Sequence, residues 1–273
     1  MKPTLRDRIR NREPFVLRGA PYDFGTDAQC AALARIARKD RPGFDRFVQR
    51  GFVRIKKIKG DQFDTECFVC ESRWDANVYV VFRGTEVGED LSLTDIITDL
   101  KFHKTTLETG HVVHAGFGRA WEEVRDEVLA EISSRKAKRG LNVVVTGHSL
   151  GGALACLAAA ELGDCFPELV TFGQPRVAGS DFVHHLEAVC VDYRRWVHRR
   201  DVITMVPFSF GYVHGGNLMY IGESDIIKQA SKQLRMQENA TRLTRRFTDH
   251  RMKNYEQRVI RAFTKGIPVW VEA

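Results

Sequence analysis

The amino terminus of this sequence lacks apolar continuity. MKPTLRDRIRNREPFVLRGAPYDF is basic and repeatedly interrupted by charge, so neither a secretory signal nor a transmembrane helix is expected there. The chain accordingly reads as a soluble protein made in the cytoplasm. Linkers are missing too: no proline-, glycine- or serine-rich tract divides the 273 residues, and there are no repeats or low-complexity segments. With 43% hydrophobic residues the chain can bury one large core, and residues 1–273 read as a single α/β domain.

A regular cysteine framework is also absent. Cys30, Cys67, Cys70, Cys156, Cys165 and Cys190 read as free thiols, mostly buried as small apolar groups. Cys67 and Cys70 have a metal- or redox-like spacing, but they sit in TECFVCES, an apolar, β-branched run. In a strand, residues three apart point to opposite faces, so the two sulfurs diverge. No metal and no cofactor is expected.

The carboxyl-terminal part lacks an acidic counterweight. From Lys228 onward there are 11 Lys and Arg against 4 Asp and Glu, while the preceding residues balance at 31 against 31, so the net charge of +7 is local. A solvated face of two surface helices accounts for it. The partner it admits is an anionic membrane surface, contacted transiently. Nucleic acid is not expected, because the tail carries neither a recognised motif nor interleaved aromatics.

What is present is alternation of strand and helix. DAQCAALARIARK spaces Cys30, Leu33, Ile36 and Ala37 along one helical face. FVRIKKI, TECFVCES and NVYVVFRG follow as three strands of one sheet. GFGRAWEEVRDEVLAEISSRKAKRG places Trp121, Val124, Val128, Leu129 and Ile132 on one helix face and ends in basic residues and Gly140. LNVVVTG is a short apolar strand of the kind parallel sheets bury on both faces. A helix after Ser149, the strand PELVTFG, a helix near SDFVHHLEAV and the strand VDYRRWVH continue the series. The pattern predicts a mostly parallel central sheet flanked by helices. Beyond YVHGGNLMYIG, from about residue 223, a basic helical segment is expected in two pieces, DIIKQASKQLRMQENATRL and DHRMKNYEQRVIRAF.

Gly147-His148-Ser149-Leu150-Gly151 matches G-x-S-x-G, and its context carries more than the pattern itself. An apolar strand runs into it and a small-residue helix runs out. A serine at such a turn adopts a strained backbone, and the flanking glycines remove side chains that would collide as strand and helix approach. The turn aims the Ser149 hydroxyl outward and leaves the Leu150 N–H at the helix start, where it can stabilise an oxyanion. A serine nucleophile needs a histidine base held by a carboxylate, and in this kind of turn the partners follow in the order acid, then histidine.

Asp201 lies directly after a strand that ends on the same sheet edge as Ser149. Asp192 lies at that strand's start, and Asp181 opens a helix, where N-terminal capping is its expected role. Among the histidines, His184 and His185 lie in a helix and His198 in a strand, which leaves His214 and His250. The polar junction TDHRMKNY favours His250, while His214 begins an apolar segment.

The pieces NVYVVFRGT, DIITDLKF, VHAGFGRAW, VVVTGHSLGGALA, VTFGQPRVA, VHRRDVITMVP, YVHGGNLMYIG and DHRMKNY occur in order between about Val78 and Tyr255. In this order they resemble the class 3 lipases, the fungal-type lipases of the α/β-hydrolase fold. The resemblance implies a hydrolase of lipid carboxylic esters, acylglycerols or related compounds, with Ser149 as nucleophile, Asp201 as acid and His250 as base. It also implies that the histidine of YVHGG is structural, that Thr85 is the second oxyanion residue beside Leu150, and that EVGEDLSLTDIIT forms a short lid. The chain departs from the family in having Ile96 where a tryptophan is common. The rival class is a catalytically silent hydrolase-fold interaction protein, which would normally lack one of the three residues.

Overall fold

The computed structural model describes residues 24–37, 44–84, 103–207, 211–222, 227–230, 247–264 and 269–271. Two helices come first, α1 (Phe24–Ala37) and α2 (Phe44–Gln49), followed by β1 (Phe52–Lys59), β2 (Glu66–Ser72) and β3 (Asn77–Phe82). A small hairpin, β4 (Lys104–Thr106) and β5 (Val112–His114), leads into α3 (Ala115–Arg139). Strand and helix then alternate through β6 (Asn142–His148), α4 (Leu150–Glu161), β7 (Glu168–Phe172), α5 (Ser180–Val189) and β8 (Asp192–His198). The remaining elements are β9 (Asn217–Ile221), β10 (Ile227–Ala230), α6 (Met252–Thr264) and β11 (Val269–Val271).

Nine of these strands form one sheet in the order β1-β2-β3-β6-β7-β8-β9-β10-β11. The three strands expected first do share that sheet and pair antiparallel. From β3 through β6, β7, β8 and β9 every neighbouring pair is parallel. The carboxyl ends of β3, β6, β7 and β8 therefore line one edge, where open α/β sheets bind their ligands.

Period-two alternation splits the core between the two faces of the sheet. Val78, Val80 and Phe82 join the cluster under α3, α4 and α5, with Trp121, Val124, Val128, Ile132 and Leu186. Tyr79 and Val81 join the opposite cluster with Leu33, Trp196, Met252 and Tyr255. Cys67 belongs to the first cluster and Cys70 to the second, so their sulfurs diverge as a strand requires. Burial pushes both thiols up in pKa, Cys70 to well beyond the ordinary thiol range.

Helix α4 is buried from Gly151 to Ala160. Its glycines and alanines let a helix sit in the interior without displacing strand side chains. Helix α1 is more buried than its spacing predicts: from Gly25 to Ala37 only Arg35 retains partial exposure. Its Asp27 tolerates the interior because Arg194 Nε and Trp196 Nε1 each donate to Oδ1 at 3.0 Å. Arg194 also engages Glu168 and Asp192, the first residues of β7 and β8.

Two expectations need correction. The basic segment from about residue 223 does not begin as a helix: Ile227–Ala230 is a strand, antiparallel to β9 and parallel to β11. Residues such as Ile227, Lys228 and Gln229 suit either state, and pairing with an open sheet edge decides between them. The second half of that segment does hold a helix, α6, with Met252, Tyr255, Val259 and Ala262 buried along one face. Residues 231–246 lie outside the described residues. Asp181 does not cap α5 either; the cap position is Gly179, and Asp181 sits in the first turn.

Candidate active site

Strand β6 ends at His148, and the chain turns at Ser149 into α4 with φ 57° and ψ −126°. Positive φ is costly for a residue with a Cβ, so the turn is strained as its motif requires. The flanking glycines show why nothing larger fits. A Cβ on Gly147 would lie 2.2 Å from the Gly151 carbonyl oxygen, and one on Gly151 would lie 2.4 Å from that of Phe82. The turn is fixed to its neighbour strand, with the Ser149 N–H donating to the Phe172 carbonyl at 3.0 Å.

Asp201 follows β8 on the same edge, and His250 ends a short 3-10 turn, residues 247–250, before α6. His250 Nε2 lies 2.8 Å from Ser149 Oγ, and His250 Nδ1 lies 2.8 Å from Asp201 Oδ2. The carboxylate can only accept, so Nδ1 carries the proton and Nε2 presents its lone pair to the serine hydroxyl. All three groups are buried. Asp201 Oδ1 accepts from the Ile203 N–H at 2.9 Å, which fixes the carboxylate plane.

Two further residues were not legible in the sequence. Tyr255, on α6, donates its hydroxyl to Asp201 Oδ2 at 2.6 Å and accepts from the His198 N–H at 3.0 Å. Burial first, then the charge of Asp201, holds this phenol well above the ordinary tyrosine range, so it remains a donor. Gly173, directly after β7, has φ +57°, and a Cβ there would lie 2.8 Å from Asp201 Oδ2 and 3.0 Å from His250 Nδ1. The signals available were a tyrosine in the first turns of α6 and a glycine ending PELVTFG; neither has a spacing rule that points to Asp201.

The remaining candidates stand elsewhere. His214 Nε2 donates to the Thr204 carbonyl, away from the serine. His198 Nδ1 donates to the Asp249 carbonyl at 2.9 Å, and burial lowers its pKa, so it holds the main chain next to His250 as a neutral ring. His185 Nε2 reaches the Ala160 carbonyl at 3.3 Å. Leu150 is the first residue of α4, where N–H groups have no partner within the helix. Thr85 and the segment expected to form a lid, residues 86–98, lie outside the described residues.

A parallel sheet carrying serine, acid and histidine at its carboxyl edge defines an α/β-hydrolase fold. Solved structures agree. The chain superposes on Rhizomucor miehei triacylglyceride lipase with a TM-score of 0.69 at 25% identity, covering 85% of this chain and 95% of that one. Residues 79–211 match the family described as Lipase (class 3). Among curated relatives, a lipase of Rhizopus niveus is 36% identical over 162 residues, 56% of this chain and 41% of its own length. A secreted mono- and diacylglycerol lipase of Fusarium solani is 34% identical over 166 residues, 59% of this chain and 48% of its own. The chain thus spans about half the length of the curated relatives it matches. No helix among the described residues is long and apolar enough to cross a membrane.

Proposed function

We propose that this chain is a serine hydrolase that cleaves carboxylic esters of lipids, acylglycerols or related compounds, through an acyl-enzyme. The observation that carries the reading is the line Asp201 Oδ2, His250 Nδ1, His250 Nε2, Ser149 Oγ, with 2.8 Å at each of its two hydrogen bonds. Ser149 Oγ attacks the ester carbonyl while His250 Nε2 takes its proton, and Asp201 stabilises the imidazolium that forms. The Leu150 N–H and Thr85 bind the oxyanion. The tetrahedral adduct collapses, the C–O bond to the alcohol breaks, and His250 returns its proton to that leaving oxygen. Water then attacks the acyl-enzyme by the same proton route and releases the fatty acid. Apart from the ester and water, these steps use only the chain's own residues.

The names of the fungal relatives support lipid esters as the substrate class. The exposed side of α6, with Lys253 and Arg261, and the exposed Arg251 just before it, support transient contact with an anionic membrane surface as part of the same reading. The test is hydrolysis of p-nitrophenyl acyl esters by the purified chain and by Ser149→Ala. The wild type is expected to turn over and the variant to fall to the background rate; equal turnover removes Ser149 from the mechanism. A panel varying acyl length and head group then defines the substrate.

A further inference from the structure

We infer that His148, the residue before the nucleophile, is a positioning residue that holds the base His250 on line with Ser149. The inference rests on the hydrolase reading above. Val144, Thr146 and His148 alternate onto the sheet face covered by α1 and α6, the face from which His250 arrives. The His148 side chain is fully buried there. Its ring centroid lies 4.4 Å from that of His250, with the planes tilted by 35°.

His148 Nε2 lies 2.7 Å from the main-chain carbonyl oxygen of His250. A carbonyl only accepts, so Nε2 carries a proton in this bond. Among the groups facing His148 from the packed elements are His250, on the 3-10 turn, and the edge-on ring of Tyr255, 5.7 Å away on α6. On its other side stands the loop that follows β3. A Cβ on Gly84 would lie 2.3 Å from the His148 carbonyl oxygen and 3.4 Å from its Nδ1. Residue 148 therefore bridges the loop leading to Thr85 and the main chain of the base.

The chemistry needs such a brace. His250 gains a proton as Ser149 attacks, and its Nε2 must stay within hydrogen-bond reach through that change. The turn bearing His250 is only four residues long and precedes a helix, so its own backbone does little to fix the ring. His148 clamps the His250 carbonyl from β6, while His198 clamps the Asp249 carbonyl from β8 at 2.9 Å. Of the two, His148 also lies across the face of the His250 ring, where it opposes a swing away from Ser149.

Three substitutions separate the components. His148→Phe keeps a ring and loses the donor; His148→Gln keeps a donor and loses the stacked ring; His148→Ala loses both. On a water-soluble short-chain ester, kcat is expected to fall about 10- to 100-fold in His148→Phe and His148→Ala with KM within about twofold, and less in His148→Gln. Phosphonylation by a fluorophosphonate should slow in parallel. Unchanged kcat in folded His148→Phe and His148→Ala, or a rise in KM at constant kcat, overturns the inference. The wild type supplies a measurement independent of folding in variants. Imidazole 15N spectra should show His148 as the Nε2–H tautomer, and its resonances should move when Ser149 is phosphonylated; a different tautomer, or resonances that do not respond, overturns it as well. A wild type that neither hydrolyses esters nor labels would count against the hydrolase reading, not against the His148 contact.

Discussion

The Tyr255 hydroxyl lies 2.6 Å from Asp201 Oδ2, the oxygen that also faces His250 Nδ1 at 2.8 Å. One carboxylate oxygen thus accepts from a phenol and an imidazole at once, and the phenol comes from α6, the helix that begins just after His250. The helix that directly follows the base thus fixes the acid. Tyr255→Phe removes a donor to a buried charge, an interaction typically worth about 1.5–3 kcal/mol. The expected result is a loss of about 10- to 100-fold in kcat/KM on a soluble ester, with KM little changed. Wild-type kcat/KM in the variant would mean that Asp201 needs no help.

Gly173→Ala places a methyl within 2.8 Å of Asp201 Oδ2 at a backbone with φ +57°. The strain alone is on the order of 1–3 kcal/mol, and the displaced carboxylate and imidazole should lower kcat by about 100-fold. Melting and turnover measured together test this: a variant that melts lower but turns over normally would contradict the clash.

Asp201→Asn preserves shape but lets residue 201 donate toward Nδ1, which favours the tautomer with Nε2 protonated. That form cannot take the serine proton. A loss of about 10⁴-fold in kcat is expected, as such a change produces in a serine–histidine–aspartate triad. Retention of kcat within tenfold would assign the acid role elsewhere.

Stability should depend on pH through the cluster at the opposite edge of the sheet. Arg194 is shared among Asp27, Glu168 and Asp192. Burial, with the charge of Asp27 adding and Arg194 opposing, pushes Glu168 from about 4.5 up to about 7. The folded chain therefore holds a proton over a range where the unfolded chain has lost it. That contribution is fully present below about pH 4.5 and is lost as pH rises through about 7. Urea midpoints measured from pH 5 to 8 should fall with pH in the wild type and flatten in Glu168→Gln; an unchanged slope in the variant would exclude Glu168 as the source.

The parts of the site readable from the sequence are those with local rules. G-x-S-x-G between an apolar strand and a small-residue helix fixes Ser149, because backbone sterics at that turn depend on adjacent residues. A strand ending at His198 puts Asp201 on the right edge, and the polar junction before α6 leaves His250 in reach. Period two likewise separated Cys67 from Cys70. Tyr255, Gly173 and His148 were not readable in the same way, since their contacts depend on how close α6, β7 and the loop after β3 approach in space. Ile227–Ala230 was misread as helix for the related reason that pairing with β9, remote from local propensity, selects the strand.

The central claim is that Ser149 is a nucleophile activated by His250. Its most direct test is an alkyl fluorophosphonate adduct located by peptide mass spectrometry, followed alongside ester hydrolysis. The account predicts a single adduct on Ser149 whose formation tracks the loss of hydrolysis and which His250→Ala prevents. Hydrolysis that persists after complete modification of Ser149, or an adduct on a different residue, would contradict it.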